Sequence, residues 1–298
     1  MIRKFHRTLL AFAIIATFTS GCRSTEDYKK FAEAGNNFAE ANNSLLDSAG
    51  KIMIDATSEE VLRDRRISGE FKPNDEASKK FFARYNKLSE TDKERLKLIQ
   101  ELRKHNQFLK SYFAKLIELA DSKSPDRTKK AVESIANQLQ ESGTKLVNLS
   151  PIKIDKLPSV TKIVLDARIR GALKEELEKR KFVIYQEITT QEKVLKLIGD
   201  SMKYDAEIGR GLRENRLVFK PLTQPGDLGD AWIAKRYEVL TQDADTISKI
   251  NQASDALREF KEIFIASIEG DITSKRLNNF LQSTNSFSAL VTEQNEQK

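Results

Sequence analysis

Apolar residues recur three and four positions apart along most of the 298-residue chain, the spacing that gathers them on one face of an α-helix. In the first such segment Phe31, Phe38, Leu45 and Ile52 return every seventh residue, with Ala34, Ala41 and Ala49 close by. This is a narrow seam of the coiled-coil or bundle kind, and it predicts a helix from about Ser24 to Arg66. Gly35 and Gly50 each weaken that helix by about 1 kcal/mol relative to Ala. The pairs Asn36-Asn37 and Asn42-Asn43 weaken it further, so residues 22–30 are expected to act as a tether.

Proline and glycine clusters mark the remaining boundaries. A break at 68–75 precedes a second helix to about Asp121, with a buried stripe of Leu96, Ile99, Leu102, Phe113, Leu116 and Ala120. Ser124-Pro125 supplies a cap and a proline at the first helical position. The third helix carries Val132, Ile135, Leu139, Leu146 and Leu149 and ends before Pro151. After a connector at 150–158, a stripe running from Ile163 to Met202 predicts one helix over 159–211, roughly 80 Å long at 1.5 Å per residue. Residues 220–230, with Pro221, Pro225, Gly226 and Gly229, form the most conspicuous break. A fifth helix is expected from Asp230 to Glu269, with Ile233, Tyr237, Leu240, Ala244, Ile247, Leu257, Phe260 and Phe264 on its buried stripe. A sixth follows Gly270-Asp271. Long helices joined by short breaks predict an all-α fold, an elongated antiparallel bundle of about six helices.

The first 21 residues have a different character. Arg3, Lys4 and Arg7 form a basic head, Leu9 to Phe18 an apolar run broken only by Thr17, and Ser20 and Gly21 a small-residue site before Cys22. A basic head, a short apolar run and small residues describe a secretory leader, and the run is too short to span a bilayer, which takes about 20 residues. Thr19-Ser20-Gly21-Cys22 resembles the lipobox of bacterial lipoproteins, with Thr19 where that family usually has an aliphatic residue. The resemblance covers only the leader. It implies that residues 1–21 are removed, that Cys22 is acylated, and that residues 22–298 form one helical-bundle domain held at a membrane by lipid. Several acyl chains give stable anchoring. By the same resemblance Arg23, rather than Asp, after the cysteine implies the outer membrane, facing the periplasm, of a Gram-negative envelope. Cys22 is the only cysteine, so the chain can form no internal disulfide.

Charge adds little to this picture. Three of the +7 charges belong to the leader, which leaves +4 on the remainder, and 32% of all residues are charged, with both signs interspersed. Such a surface is solvated rather than polycationic, and nucleic acid is not expected as a partner.

Catalytic arrangements are hard to build. Beyond the leader the single histidine is His105, which excludes Ser-His-Asp and Cys-His arrangements and Cys/His zinc sites. His105 reads as a partly exposed helix residue. Glu175, Glu176 and Glu178 beside Lys179, Arg180 and Lys181 read as a solvated face with local ion pairs. Gly209-Arg210-Gly211 reads as a helix terminus. No cofactor and no metal are expected: Asp227 and Asp230 are too few for calcium, which takes six to eight oxygens, and Asp230 suits a helix N-cap. If a partner surface exists, Asp227, Asp230 and Trp232 are the residues most suited to it, although closing the end of the bundle is the more expected role of Trp232. These features predict a non-catalytic, lipid-anchored binding or scaffolding protein with an envelope protein as partner. The alternatives are a membrane-inserting or pore-forming protein, for which Ile263-Phe264-Ile265-Ala266 is the most apolar segment, and a hydrolase using paired carboxylates.

Overall fold

The computed structural model describes residues 5–68, 75–121, 125–149, 163–164, 171–226, 228–241, 244–271, 273 and 275–285, with most of their side chains from residue 30 onward. It is all-α. α1 (Phe5–Ile67), α2 (Glu76–Asp121), α3 (Pro125–Leu149) and α4 (Gly171–Glu214) are followed by a π-helix (Asn215–Phe219), the single turn α5 (Lys220–Leu222), α6 (Asp230–Thr241) and α7 (Ala244–Glu269). Residues 275–285 add a last helical stretch. α4 has 44 residues and is about 66 Å long at 1.5 Å per residue.

Side-chain pairs fix the direction of each helix. α2 runs antiparallel to α1, because Arg103 meets Asp47 at 2.6 Å and Arg84 meets Glu60 at 3.1 Å. α4 runs antiparallel to α2, with His105 facing Glu187 and Arg95 facing Asp205. α7 returns along α4, where Ser254 Oγ donates to the carbonyl of Glu192 and Lys261 lies over the ring of Tyr185. α3 and α4, by contrast, are parallel: Lys129 pairs with Glu175 at 2.6 Å and Lys179 with Glu133 at 2.9 Å.

A parallel neighbour requires a connection that travels back the length of a helix. α3 ends at Leu149 and α4 begins at Gly171, so the single helix predicted over 159–211 starts later than expected. Ile163 and Val164 are not helical. Ile163 is buried, and the Val164 N–H donates to Glu269 Oε1 at 3.1 Å, at the end of α7. α4 begins only at Gly171, whose φ of +62° favours glycine. At its other end the helix passes Gly209 and Gly211 without a break, which corrects their reading as a terminus. Gly209 is a crossing point instead: a Cβ there would stand 3.0 Å from Ala56 Cα and 3.2 Å from Ala56 Cβ. Gly209→Val should force α1 and α4 apart and lower stability by about 2 kcal/mol, measured by chemical denaturation, whereas Gly211→Ala, with open space around it, should not destabilise.

The expected seams form the core. Phe38, Leu45, Ile52, Ala34 and Ala49 of α1 are buried, as are Ile99, Leu102, Phe113 and Leu116 of α2; Phe31, Ala41 and Ala120 have no described side chain. Aromatic rings join three helices at one end. Phe113 meets Phe260 edge-on at 5.2 Å and Phe264 at 5.8 Å, and Phe38 stacks on Phe260. Ile263, Phe264 and Ala266, from the segment proposed for membrane insertion, are buried in this core. No described helix is long and apolar enough to cross a membrane.

Candidate functional site

The far end of the bundle, where α1 ends and α4 turns into α6, departs most from a plain helical pattern. Pro221 has no N–H to offer the carbonyl four residues earlier, at Leu217. Just ahead of it the helix widens over Asn215–Phe219, and the Lys220 N–H reaches back to the carbonyl of Asn215. π-Helices of this kind are rare and are often found at functional sites. The wider turn buries Val218 and exposes Phe219. A turn at 223–226 follows, in which Gly226 takes φ +147°.

Trp232 is half-buried beside this turn, and its Nε1 donates to the carbonyl of Val218 at 3.2 Å. The indole therefore pins α6 onto the π-helix. Asp230 is exposed at the first position of α6, where its charge complements the positive helix terminus. Asp227 lies outside the described residues.

The stripe expected to be buried on this helix is reversed. Ile233, Tyr237 and Leu240 are 59%, 70% and 44% exposed, and their i, i+4, i+7 spacing makes one apolar face. Sequence periodicity finds such a face but not its direction. Val239, with Trp232, covers the bundle instead. The predicted fifth helix is described over α6 and α7, with residues 242–243 between them outside the described residues. Of the fourteen large hydrophobic side chains exposed among the described residues, twelve lie on 54–85 and 204–240, all in the far half, and only Val164 and Phe182 lie elsewhere.

Beneath this surface charged groups tie α1 to α4. Glu59, 4% exposed, accepts from Arg213 Nε at 3.3 Å and from Arg216 Nε at 2.9 Å. Burial pushes the Glu59 carboxyl up, but hydrogen bonds and charge from Arg216 and then Arg213 outweigh it and hold the group below its ordinary value. Nearby, burial raises both Asp205 and Asp92, against the opposing pull of Arg95 on each and of Thr57 on Asp92. Arg95 binds Asp205 at 3.1 Å, and Thr57 Oγ1 donates to Asp92 at 2.8 Å. These carboxyls are tied to structural partners. A cleft of about 300 Å³ between α1 and α2 is lined by Asp47, Lys51, Asp55 and Arg103, and Arg103 is already paired with Asp47. Among the described residues no group of three His, Cys, Asp or Glu side chains is placed to hold a metal ion.

Two sequence readings need correction. His105 is fully buried rather than partly exposed, and its Nε2 lies 2.9 Å from Glu187 Oε2. Glu176, Arg180 and Lys181 are buried too. The ion pairs expected there do form, but Arg180 binds Glu176 inside the bundle and also reaches Glu133 on α3, because α3 packs over that face. Cys22 falls within α1, but its side chain is among those not described.

No protein-family model, curated protein or solved structure matches this chain.

Proposed function

We propose that this chain is a lipid-anchored envelope protein that binds a protein partner through the far end of its bundle and performs no catalysis itself. The observation that carries this reading is the outward apolar face of α6, Ile233, Tyr237 and Leu240, beside exposed Phe219 and Leu222. Scattered exposed hydrophobics need no explanation, whereas a concentration of them at one end marks an interaction surface. The lipobox-like leader supplies the anchor. Residue 22 and Glu59 lie on one continuous helix, about 55 Å apart at 1.5 Å per residue, so a lipid on Cys22 and the α6 face would occupy opposite ends of a rod. The partner engaged there is one that supplies an apolar ridge, as an amphipathic helix does.

The test is site-specific photocrosslinking in cells, with a photoreactive residue at Tyr237 and, as control, at Phe182 in the near half. A discrete adduct is expected from position 237 alone, lost in an Ile233→Asp background. Because Ile233 is exposed, that substitution should change folding stability by no more than about 0.5 kcal/mol. The same adducts from both positions, or none from 237, would refute the reading. For the anchor, Cys22→Ser should move the protein from the membrane to the soluble fraction.

A further inference from the structure

Halfway along the bundle, polar residues from four helices meet at one level. Asn106 Nδ2 on α2 donates to the carbonyl of Ala39 at 2.7 Å and to Asn43 Oδ1 at 3.0 Å, both on α1. Gln191 Nε2 on α4 donates to Asn106 Oδ1 at 2.7 Å. One residue back on α2 and about one turn back on α4, His105 meets Glu187. From α3, Gly143 lies directly against the Glu187 carboxylate, with Ser142 next to it. Because Ala39 offers a carbonyl, it fixes which end of the Asn106 amide faces it, and the Gln191 amide is oriented in turn.

The layer is deeply enclosed: Asn42, His105 and Gln191 are 0% exposed, Asn106 1% and Ser142 2%. Both polar atoms of the Asn42 side chain, His105 Nδ1, Ser142 Oγ and Gln191 Oε1 have no hydrogen-bond partner among the described residues. Buried polar groups are rarely left unpaired, because they have given up their bonds to solvent. These side chains lie on the four helices that the Asn106–Gln191 and His105–Glu187 contacts and the Gly143 approach draw together, so they form one buried polar layer rather than five separate defects. The open atoms belong to two amides, a hydroxyl and an imidazole, so they require a small neutral ligand that donates and accepts together.

We infer that this layer is an internal water site, built by Asn42, His105, Ser142 and Gln191 and closed on its sides by the Asn106 and Glu187 bonds. A buried water makes roughly three hydrogen bonds, so five open atoms would hold about two waters. The site is independent of the α6 surface, and its test does not depend on any partner.

Asn42→Leu separates a hydrated layer from a dry one. In a dry layer the substitution removes two unpaired atoms, and the protein should melt at a higher temperature. In a hydrated layer it expels water and strands the polar groups that water served, and the protein should melt lower. Oxygen-17 magnetic relaxation dispersion of the full chain reads long-lived internal water directly. The expected result is a dispersion in the wild type whose amplitude falls in Asn42→Leu, together with a lower melting temperature. A wild type without dispersion, an amplitude that Asn42→Leu leaves unchanged, or a variant that melts above the wild type would overturn the inference. The wild-type measurement stands even where the variant does not fold.

Discussion

Phe113→Ala should lower folding stability by about 4 kcal/mol, within the range of 3 to 5 kcal/mol typical of a buried aromatic truncated to Ala. Phe113 is 1% exposed and sits where α2 meets α7. Its ring packs edge-on against Phe260 and Phe264, and against its neighbour Tyr112 at 5.8 Å. Edge-to-face pairs of this kind contribute beyond the area they bury. The cavity left by Ala would open between rings held by three helices, where collapse is difficult. Urea denaturation followed by far-ultraviolet circular dichroism checks the value. Phe82→Ala, on the same helix but 55% exposed, should change stability by less than about 0.5 kcal/mol. Equal effects at the two positions would disprove this account of the core.

Glu59→Ala is the second large effect, about 3 kcal/mol at neutral pH. Removing one partner of a buried ion pair costs about 3 to 5 kcal/mol, because the other charge stays behind without compensation. The lower figure applies because the Arg216 side chain keeps 31% of its exposure, while that of Arg213 keeps 11%. The pH dependence follows from the direction of the shift. The folded-state value of Glu59 lies below its ordinary 4.5, so its contribution is fully present above that pH and is lost as pH falls through the folded value. The gap between wild type and Glu59→Ala should therefore be constant from pH 7 to about 5.5 and close as the solution is acidified further. Asp205 and Asp92 act in the opposite sense. Their folded values are raised above 3.8, so protonation relieves a penalty, and Asp205→Asn should lose less stability at pH 7 than Glu59→Ala. A gap that widened on acidification would contradict the assignment of Glu59.

Apolar periodicity made the helices and most of the core legible. The seven-residue return of Phe38, Leu45 and Ile52 predicted both a helix and its buried side, and all three are in the core. The same reading failed at Ile233, Tyr237 and Leu240. A helical stripe states which residues share a face, and only neighbouring helices decide whether that face is covered. Polar residues were misread for a related reason. His105, Arg180 and Glu176 look solvent-facing when judged against their own helix, but their burial comes from α3 and α4, tens of residues away. Gly209 illustrates a third gap, since a glycine at a close crossing and one at a terminus look alike until the partner backbone is in place. The parallel α3–α4 pair could not be read from loop composition either, because a connector carries no mark of how far back it travels. The hydrogen-bond partner of Trp232, the carbonyl of Val218 in the π-helix, was likewise not legible in the sequence.

The long reach between Phe38 and Phe260 bears on how the molecule is made. α1 leaves the ribosome first, yet the ring that stacks on its seam follows 222 residues later. At about 5 to 20 residues per second that is a wait of roughly 10 to 45 seconds. Over that interval α2 covers one side of α1 while the side that receives Phe260 stays open, so a holding factor, rather than rapid local folding alone, should govern the yield of intact protein.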